Sequence, residues 1–445
     1  MSVRTRGFSL AFVALCVLAG LRLWGLATFI VDPSETRFVA HHEDDFGIRH
    51  NCFTCYVIAA HLGEQGKNVY DHSLYRNASE KTFIHDQVGE TFTIDSYPYP
   101  APFLAVPALL IRAGGDFFDW RIVWFVVVGS TFLLAVGLGA AWCGAFRDQP
   151  WLLLFPLIFL APTTCMALQM GNVHALVLGA SILGALAFAR GWNVVGGLLL
   201  GLAICTKIWP AILLVPLVLR GRWRPVGFTL GGVVVWAGLA LILVGPAPFE
   251  DFVAYQLPRL ADGEAFAFMS TSPKPIDVNT SVFGVPHKLH RLGVLEGEQP
   301  RLNPDINLWY TGSVVLLVLL VAVRRRGDPP PTGVARLHQL QLWLALLNLA
   351  QLRSPFLPWP YGVVSSLWLL LLLVPRARPA LRGVLLAGCV ILAVDMPLPF
   401  GSADVSRWWS LAGSGIMLFA ALSVVVLSLL RPGRPAFTVD GHPAR

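Results

Sequence analysis

Long uncharged apolar runs restrict this chain to membrane-spanning architectures. Residues 122–146, 227–245 and 408–430 contain no charged side chain, and residues 151–189 contain no Asp, Glu, Lys or Arg. About 20 apolar residues cross the hydrocarbon layer as a helix, which satisfies its own backbone hydrogen bonds. Only 13% of the residues are charged, against about 25% in a typical soluble domain. We therefore expect an all-α polytopic membrane protein, a single domain over residues 1–445.

The charged residues are unevenly distributed between the apolar runs. Eleven of the 26 Asp and Glu residues lie in residues 32–95 and eight lie in residues 246–305, whereas the arginines form short clusters. Arginine clusters favour the cytoplasmic side of a membrane. We therefore place a first loop (32–97) and a second loop (246–306) outside the cytoplasm, and both termini inside it. The net charge of +7 arises from these clusters and does not indicate nucleic-acid binding.

The apolar runs between arginine clusters predict about 12 transmembrane helices in the cytoplasmic (inner) membrane. Residues 98–113 break the alternation, and because this short run holds four prolines we interpret it as a re-entrant or tilted half-helix. Only 29 residues separate Arg190 from Arg220, too few for two full spans. We therefore expect a hairpin of two short helices that breaks at Lys207 and Pro210.

A lysine at such a break is a candidate binding residue. Charge in the middle of a membrane costs about 2.5–3.5 kcal/mol unless a partner or water meets it. Lys207 is expected to bind an anionic group, with a snorkelling lysine at the interface as the alternative. Arg353 and His174, at the outer ends of apolar runs, are further candidates. Their alternatives are an arginine paired with lipid headgroups and a histidine satisfied at a helix end.

The segment FVAHHEDDFGIRHNC (38–52) opens the first loop and gathers acids and histidines beside the first apolar run. Apolar surroundings and a like-charged neighbour raise the pKa of a carboxyl group toward neutrality, where a general base works best. Asp44 and Asp45 are therefore candidates for a base that deprotonates an alcohol, with a solvated loop of no chemical role as the alternative. The cluster could also bind a divalent metal, but it lacks a compact ligand motif, so we expect no required cofactor.

The middle of the first loop, residues 55–75, has apolar residues at helical spacing. We expect a short amphipathic helix that lies on the bilayer surface. Cys52 and Cys55 are close enough in sequence to pair in an oxidising compartment, or they could serve as two small packing residues.

Several segments together resemble glycosyltransferase family 87 and its GT-C superfamily relatives. They occur in the family's order and cover most of the chain: YVIAAHLGEQGKNVYD (56–71), YPYPAPFLAVP (97–107), the segment 170–224 from MGNVH to the Lys-x-x-Pro break and its basic end, NTSVFG (279–284) and RSPFLPWPY (353–361). The resemblance implies a GT-C-type bundle with two large extracytoplasmic loops. It also implies transfer of a sugar, mannose in the best-understood relatives, from a polyprenyl-phosphate donor to a lipid or glycan acceptor at the outer face of the cytoplasmic membrane.

The resemblance also suggests roles for individual residues in an inverting single displacement. The family's catalytic Asp would fall near Asn51, so Asp45 is the nearest acid here, and Asn172 stands where the family has Gln. The roles that follow are a base (Asp45 or Asp44), donor-phosphate contacts (Lys207, Arg353 and His174) and sugar or acceptor contacts (Asn172, Asn279, Tyr97, Trp359 and Tyr361). Trp359 and Tyr361 could instead belong to an interfacial aromatic belt.

Two other classes of protein remain open at this stage. A transporter or lipid flippase usually has ionisable residues near the midplane and repeated halves. This chain shows no clear repeat and carries most of its acids in two loops, which favours an enzyme that works at the outer surface. The missing acid at position 51 keeps a catalytically inactive assembly partner as a further alternative.

Overall fold

A computed structural model describes residues 3–32, 35, 37, 39, 46–75, 96–147, 149–267, 273–297, 299–324, 333–394 and 402–430. Secondary structure within these ranges is helical, apart from one isolated bridge between Asn279 and Pro358. The expected all-α class is therefore confirmed for the described part of the chain.

The described residues up to 244 form ten α-helices, several of them short. They are α1 (Val3–Val31), α2 (Phe46–Glu64), α3 (Ala105–Arg112), α4 (Phe117–Trp142), α5 (Leu157–Leu160), α6 (Pro162–Gln169), α7 (His174–Ala189), α8 (Asn193–Thr206), α9 (Leu214–Leu219) and α10 (Trp223–Val244). Short 3-10 helices at Ala101–Leu104, Pro150–Leu154 and Trp209–Leu213 lead toward α3, α5 and α9.

The described residues after 244 form nine more α-helices. They are α11 (Ala247–Asp251), α12 (Leu257–Ala261), α13 (Pro273–Val278), α14 (Gly284–Arg291), α15 (Pro304–Arg324), α16 (Gly333–Leu352), α17 (Trp359–Leu373), α18 (Pro379–Ala393) and α19 (Ala403–Leu430). A π-helical turn over Phe252–Gln256 joins α11 to α12.

Five of the described helices are long and apolar enough to cross a bilayer. They are Leu10–Val31 within α1, α4, α10, Pro304–Val323 within α15, and α19. Residues Pro150–Leu160 and Pro162–Gln169, bent by 56° relative to each other, make a sixth if they are one broken span. Other apolar helices, including α7, α8, α17 and α18, are shorter. The structure thus supports a polytopic membrane protein, whereas the count of 12 spans stays a prediction.

Helix α2 packs inside the protein instead of lying on a bilayer surface. Every residue from 53 to 60 is buried, and the helix contacts α3, α10 and the turn Ala101–Leu104. Phe53 stacks on Trp124 with ring centroids 5.7 Å apart, and Tyr56 meets the same indole edge-on. Aromatic residues on more than one face of the helix find protein partners, so the prediction of a surface helix is wrong for this segment.

Helices α8 and α10 cross with their backbones in contact. A Cβ atom added at Gly197 would lie 2.3 Å from the Phe228 carbonyl oxygen, and one at Gly232 would lie 2.3 Å from the Gly197 carbonyl oxygen. Small residues at helix interfaces permit this close approach within membranes. Since α8 also packs on α7, its end at Thr206 is held in place. The predicted break is confirmed at Lys207, because the next 3-10 helix begins only at Trp209, whereas Pro210 lies in the first turn of that 3-10 helix.

Candidate active site

Lys207 lies at this break and is the centre of a polar cluster. Its backbone is extended (φ −142°, ψ 130°), and its side chain is half-buried while the next residue, Ile208, is exposed. The Lys207 Nζ atom lies 3.2 Å from His174 Nδ1 and 5.4 Å from the centroid of the Tyr99 ring. Among the residues that the structure describes, no carboxylate forms an ion pair with it. The ammonium group is therefore held by a neutral acceptor and an aromatic face.

His174, the first residue of α7, is fixed from several directions. Its Nε2 atom lies 2.7 Å from Gln351 Oε1 in α16, and the Trp209 ring lies 5.3 Å from its own ring at an angle of 31°. Its backbone nitrogen donates a hydrogen bond to Asn172 Oδ1 at 2.8 Å, which satisfies one of the unpaired N–H groups at the start of a helix. The imidazole therefore has little freedom to turn away from Lys207.

Asn172 and Tyr361 meet at the thiol of Cys52. The Asn172 Nδ2 atom donates to Cys52 Sγ at 3.1 Å, and the Tyr361 hydroxyl lies 3.3 Å from the same sulfur. The Tyr361 hydroxyl also donates to Met170 Sδ at 3.0 Å. Gly171 (φ +65°) makes the turn between α6 and α7 possible, because a Cβ there would lie 2.8 Å from Phe53 Cβ. Four predicted site residues, Lys207, His174, Asn172 and Tyr361, thus belong to one connected cluster.

Tyr97 packs against Tyr99, the aromatic residue whose ring faces Lys207. It is buried, its hydroxyl donates to Pro100 O at 3.1 Å, and its ring centroid lies 5.5 Å from that of Tyr99. Tyr99 is half-buried and accepts a hydrogen bond from the Tyr56 hydroxyl at 3.1 Å. Tyr99, rather than Tyr97, therefore presents its ring to Lys207.

Asn279 and Trp359 lie where the second loop meets the start of α17, the helix that carries Tyr361 two residues after Trp359. Asn279 is buried, its Nδ2 atom donates to Pro355 O at 3.1 Å, and its Oδ1 atom accepts from Leu357 N at 2.9 Å. Trp359 is also fully buried and packs against Gly413 in α19. These contacts fit a structural role, and the predicted contact with sugar or acceptor stays a prediction for both residues.

Arg353 is exposed at the end of α16. Its guanidinium donates to Thr311 Oγ1 at 2.8 Å and to Asn307 Oδ1 at 2.9 Å, both on α15. These hydrogen bonds tie the two helices together, and the structure gives Arg353 no contact with the cluster around Lys207. Its predicted contact with the donor phosphate stays a prediction.

The two acid candidates, Asp44 and Asp45, lie outside the described residues. Helix α2 begins at Phe46, directly after Asp45 in the sequence. Cys52 follows six residues later, about 9 Å along a helix axis, and it belongs to the cluster. The start of α2 therefore lies within two helical turns of a residue that contacts Asn172 and Tyr361.

The cysteines and potential metal ligands add two further observations. None of the seven cysteines, all of which lie in the described ranges, forms a disulfide, so Cys52 and Cys55 are not bonded to each other, and Cys55 is buried as a packing residue. Within the described ranges, no group of three or more His, Cys, Asp or Glu side chains is placed to hold a metal ion. The histidines and acids of residues 41–45 are outside those ranges.

Sequence reasoning missed three members of the cluster: Cys52, Tyr99 and Gln351. For Gln351 a signal was present, since it and Asn348 are the two polar residues in the otherwise apolar run 342–352. Their spacing of three puts them on one helix face. No sequence pattern marks Cys52 or Tyr99 in the same way, because their partners in the cluster come from segments far apart in the chain.

The model of glycosyltransferase family 87 matches residues 97–347, more than half of the chain. The matched region includes Tyr99, Asn172, His174 and Lys207. Searches of curated proteins and of solved structures gave no significant match. The chain therefore belongs to glycosyltransferase family 87, and it is a glycosyltransferase.

Proposed function

We propose that the protein transfers a sugar, mannose as the first candidate, from a polyprenyl-phosphate donor to a glycolipid or glycan acceptor at the outer face of the cytoplasmic membrane. One observation carries this proposal. A half-buried ammonium group, Lys207, stands at a break between two short apolar helices and pairs with no described carboxylate.

A cation at this place suits a lipid-linked phosphate. The donor would leave as a phosphate monoester, whose negative charge grows in the transition state, and a fixed cation stabilises that state more than the ground state. A lysine ammonium has three N–H donors. One of them points to His174 Nδ1 at 3.2 Å, which leaves two for phosphate oxygens. The neighbouring Ile208 is exposed, and we propose that the lipid chain of the donor approaches the cluster there.

The base is proposed to come from the start of α2. Asp45, or its neighbour Asp44, precedes the helix that brings Cys52 into the cluster. In the proposed step, the acceptor oxygen attacks the anomeric carbon while its proton passes to the Asp carboxylate. The bond from the anomeric carbon to the phosphate oxygen breaks, and polyprenyl phosphate leaves with the bonding electrons. A single displacement inverts the anomeric configuration and requires no metal step, although a divalent cation on the phosphate is compatible with it.

Contacts to the sugar are proposed for Tyr99, Asn172 and Tyr361. Tyr99 offers an aromatic face, and Asn172 and Tyr361 offer polar groups that now contact the Cys52 thiol. A thiol is a weak hydrogen-bond partner. Sugar hydroxyls could therefore replace it at little cost.

The proposed orientation follows from the distribution of charge. Acidic residues concentrate in the loops 32–97 and 246–306, while arginine clusters occupy the intervening ends. Under the positive-inside rule this puts both termini in the cytoplasm and the break at Lys207 toward the outer surface.

The donor class is tested with the full-length protein in lipid nanodiscs. The protein is incubated with radiolabelled mannose on polyprenyl phosphate, and in a parallel reaction with the same sugar on a nucleotide, each with a lipid extract of the source cells. We expect label to reach a new glycolipid only from the polyprenyl donor, with inverted configuration. Direct transfer from the nucleotide sugar would contradict the proposal. In proteoliposomes, passage of the lipid-linked sugar across the bilayer without any transfer would favour a flippase instead.

A further inference from the structure

We infer that Gln351 is a positioning residue for sugar transfer: it fixes the tautomer of His174 and thereby aims the Lys207 ammonium at the donor phosphate. The inference rests on the proposed role of Lys207 in donor binding. It is carried by a chain of directional hydrogen bonds that runs from the backbone of α16 and α17 to Lys207.

The amide of Gln351 can adopt only one orientation in this network. Its Nε2 atom donates to the Gly362 carbonyl oxygen at 2.9 Å. A backbone carbonyl only accepts hydrogen bonds, so the amide nitrogen must face Gly362 and the amide oxygen must face His174. The same nitrogen lies 2.8 Å from Asn348 Oδ1 and 2.6 Å from Ser365 Oγ.

Asn348, one helical turn before Gln351, is also held in one orientation by a hydrogen bond to a backbone carbonyl. Its Nδ2 atom donates to the Leu344 carbonyl oxygen at 2.9 Å, so its Oδ1 atom faces the network. That oxygen accepts hydrogen bonds from Ser365 Oγ and Ser366 Oγ, both at 2.7 Å. Asn348, Gln351 and both serines are fully buried. Buried polar networks in which every member is satisfied are rigid, because an unpaired polar group there is costly.

The fixed orientation of Gln351 decides how His174 meets Lys207. Since Gln351 Oε1 can only accept, the His174 Nε2 atom must carry the hydrogen of their 2.7 Å contact. In a neutral imidazole this leaves a lone pair on Nδ1, which accepts from Lys207 Nζ. The opposite tautomer would turn an N–H group toward the ammonium and lose this hydrogen bond. Gln351 thus acts on the cation through His174 without touching it.

Replacing a glutamine that only joins helices should leave phosphate binding unchanged, which distinguishes such a residue from Gln351. Gln341 is a matched control in the same helix, because it is buried and its Nε2 atom donates to Leu372 O at 3.0 Å. Its Oε1 atom even contacts a histidine, His338, at 3.0 Å, but this pair has no contact with Lys207. Gln341→Met and Gln351→Met both remove buried hydrogen bonds of α16, with two partners for Gln341 and four for Gln351, and only the second alters the proposed phosphate contact.

The test is a double-mutant cycle on binding of radiolabelled farnesyl phosphate to the full-length protein in nanodiscs, with farnesol as the probe that lacks a phosphate. We expect Gln351→Met to weaken farnesyl phosphate binding about tenfold in the wild-type background and to have no further effect beside Lys207→Met. Gln351→Asn, which keeps an amide for Asn348 and Ser365 but is one methylene too short for His174, should show the same loss if the methionine variant fails to fold. Farnesol binding and Gln341→Met should show no such change.

Two outcomes separate this inference from the proposed function. If Lys207→Met weakens farnesyl phosphate binding but the Gln351 variants bind like the wild type, or weaken it equally in both backgrounds, the positioning role is wrong and the donor site stands. If Lys207→Met itself binds farnesyl phosphate like the wild type, the phosphate role of Lys207 is wrong and the positioning role is overturned with it.

Discussion

Asn279 accepts a hydrogen bond from the backbone nitrogen of Leu357 at 2.9 Å, which joins two segments 78 residues apart. The same amide oxygen accepts from Ser281 N at 3.0 Å, and the amide nitrogen donates to Pro355 O at 3.1 Å. One side chain thus closes the second loop against the turn that leads into α17, the helix that carries Tyr361. Its contacts hold one wall of the candidate site in place.

The first prediction concerns this connection. Asn279→Ala leaves two buried backbone N–H groups without an acceptor, and we expect it to lower the free energy of unfolding by about 1–3 kcal/mol for each. Thermal unfolding of the purified protein measures the effect. Asn193→Ala, at the first residue of α8, is the stability control: its side chain makes no hydrogen bond within the described residues, so the free energy should change by about 0.5 kcal/mol or less. Equal unfolding temperatures for the two variants would show that the connection is not a stabilising contact.

The second prediction concerns Lys288, a fully buried lysine in α14 of the second loop. Its Nζ atom donates to Asn279 O and, at 2.6 Å, to Ser410 Oγ. Burial lowers the pKa of Lys288 to about 7, although the nearby Asp277 carboxylate acts to raise it. Asp277 itself is paired with Arg407 at 2.9 Å. The neutral amine retains two N–H groups, enough for both oxygen partners.

The pH dependence follows from the direction of that shift. Between pH 7 and the ordinary lysine value of 10.5, the unfolded chain binds a proton at residue 288 that the folded protein does not bind. Stability should therefore rise as the pH increases through this window. Lys288→Met removes the titrating group, so the difference in unfolding temperature between wild type and variant should change steadily from pH 7 to pH 10. A difference that stays constant across this range contradicts the assignment.

The third prediction concerns the base. Asp45→Asn, or Asp44→Asn if that residue acts instead, should reduce kcat for sugar transfer by about 100- to 10,000-fold, because an amide cannot take the acceptor proton. Donor binding should be preserved, since the proposed base would contact the acceptor and not the donor. Asp71→Asn is the control in the same loop, where Asp71 Oδ1 caps a turn through Ser73 N at 2.8 Å. Full transfer activity in both the Asp44 and Asp45 variants would show that neither residue is the base.

Much of the helical framework could be predicted from local sequence. The interruption at Lys207 followed from the short distance between Arg190 and Arg220 and from Pro210, because span length and proline act on the chain locally. The end of α8 at Thr206 agrees with that expectation. The short helix before Arg112 likewise fits the proline-rich run that was too short for a full span.

The partners of the candidate site residues were less accessible to sequence reasoning. His174 and Gln351 are 177 residues apart, and only the packing of α7 against α16 brings them together. Helix α2 was misplaced for a related reason. The same spacing of apolar residues fits a helix on a lipid surface and a helix buried inside the protein. The aromatic residues that bury α2, such as Trp124, come from other helices.

The rate of sugar transfer by Lys207→Met tests the central claim most directly. Transfer from the polyprenyl-phosphate donor is measured for the wild type, for Lys207→Met and for Lys274→Met, a control at an exposed lysine of the second loop. Loss of a cation that stabilises the departing phosphate should slow transfer by about 100- to 1,000-fold, whereas the control should keep the wild-type rate. Transfer by Lys207→Met at the wild-type rate would contradict the account.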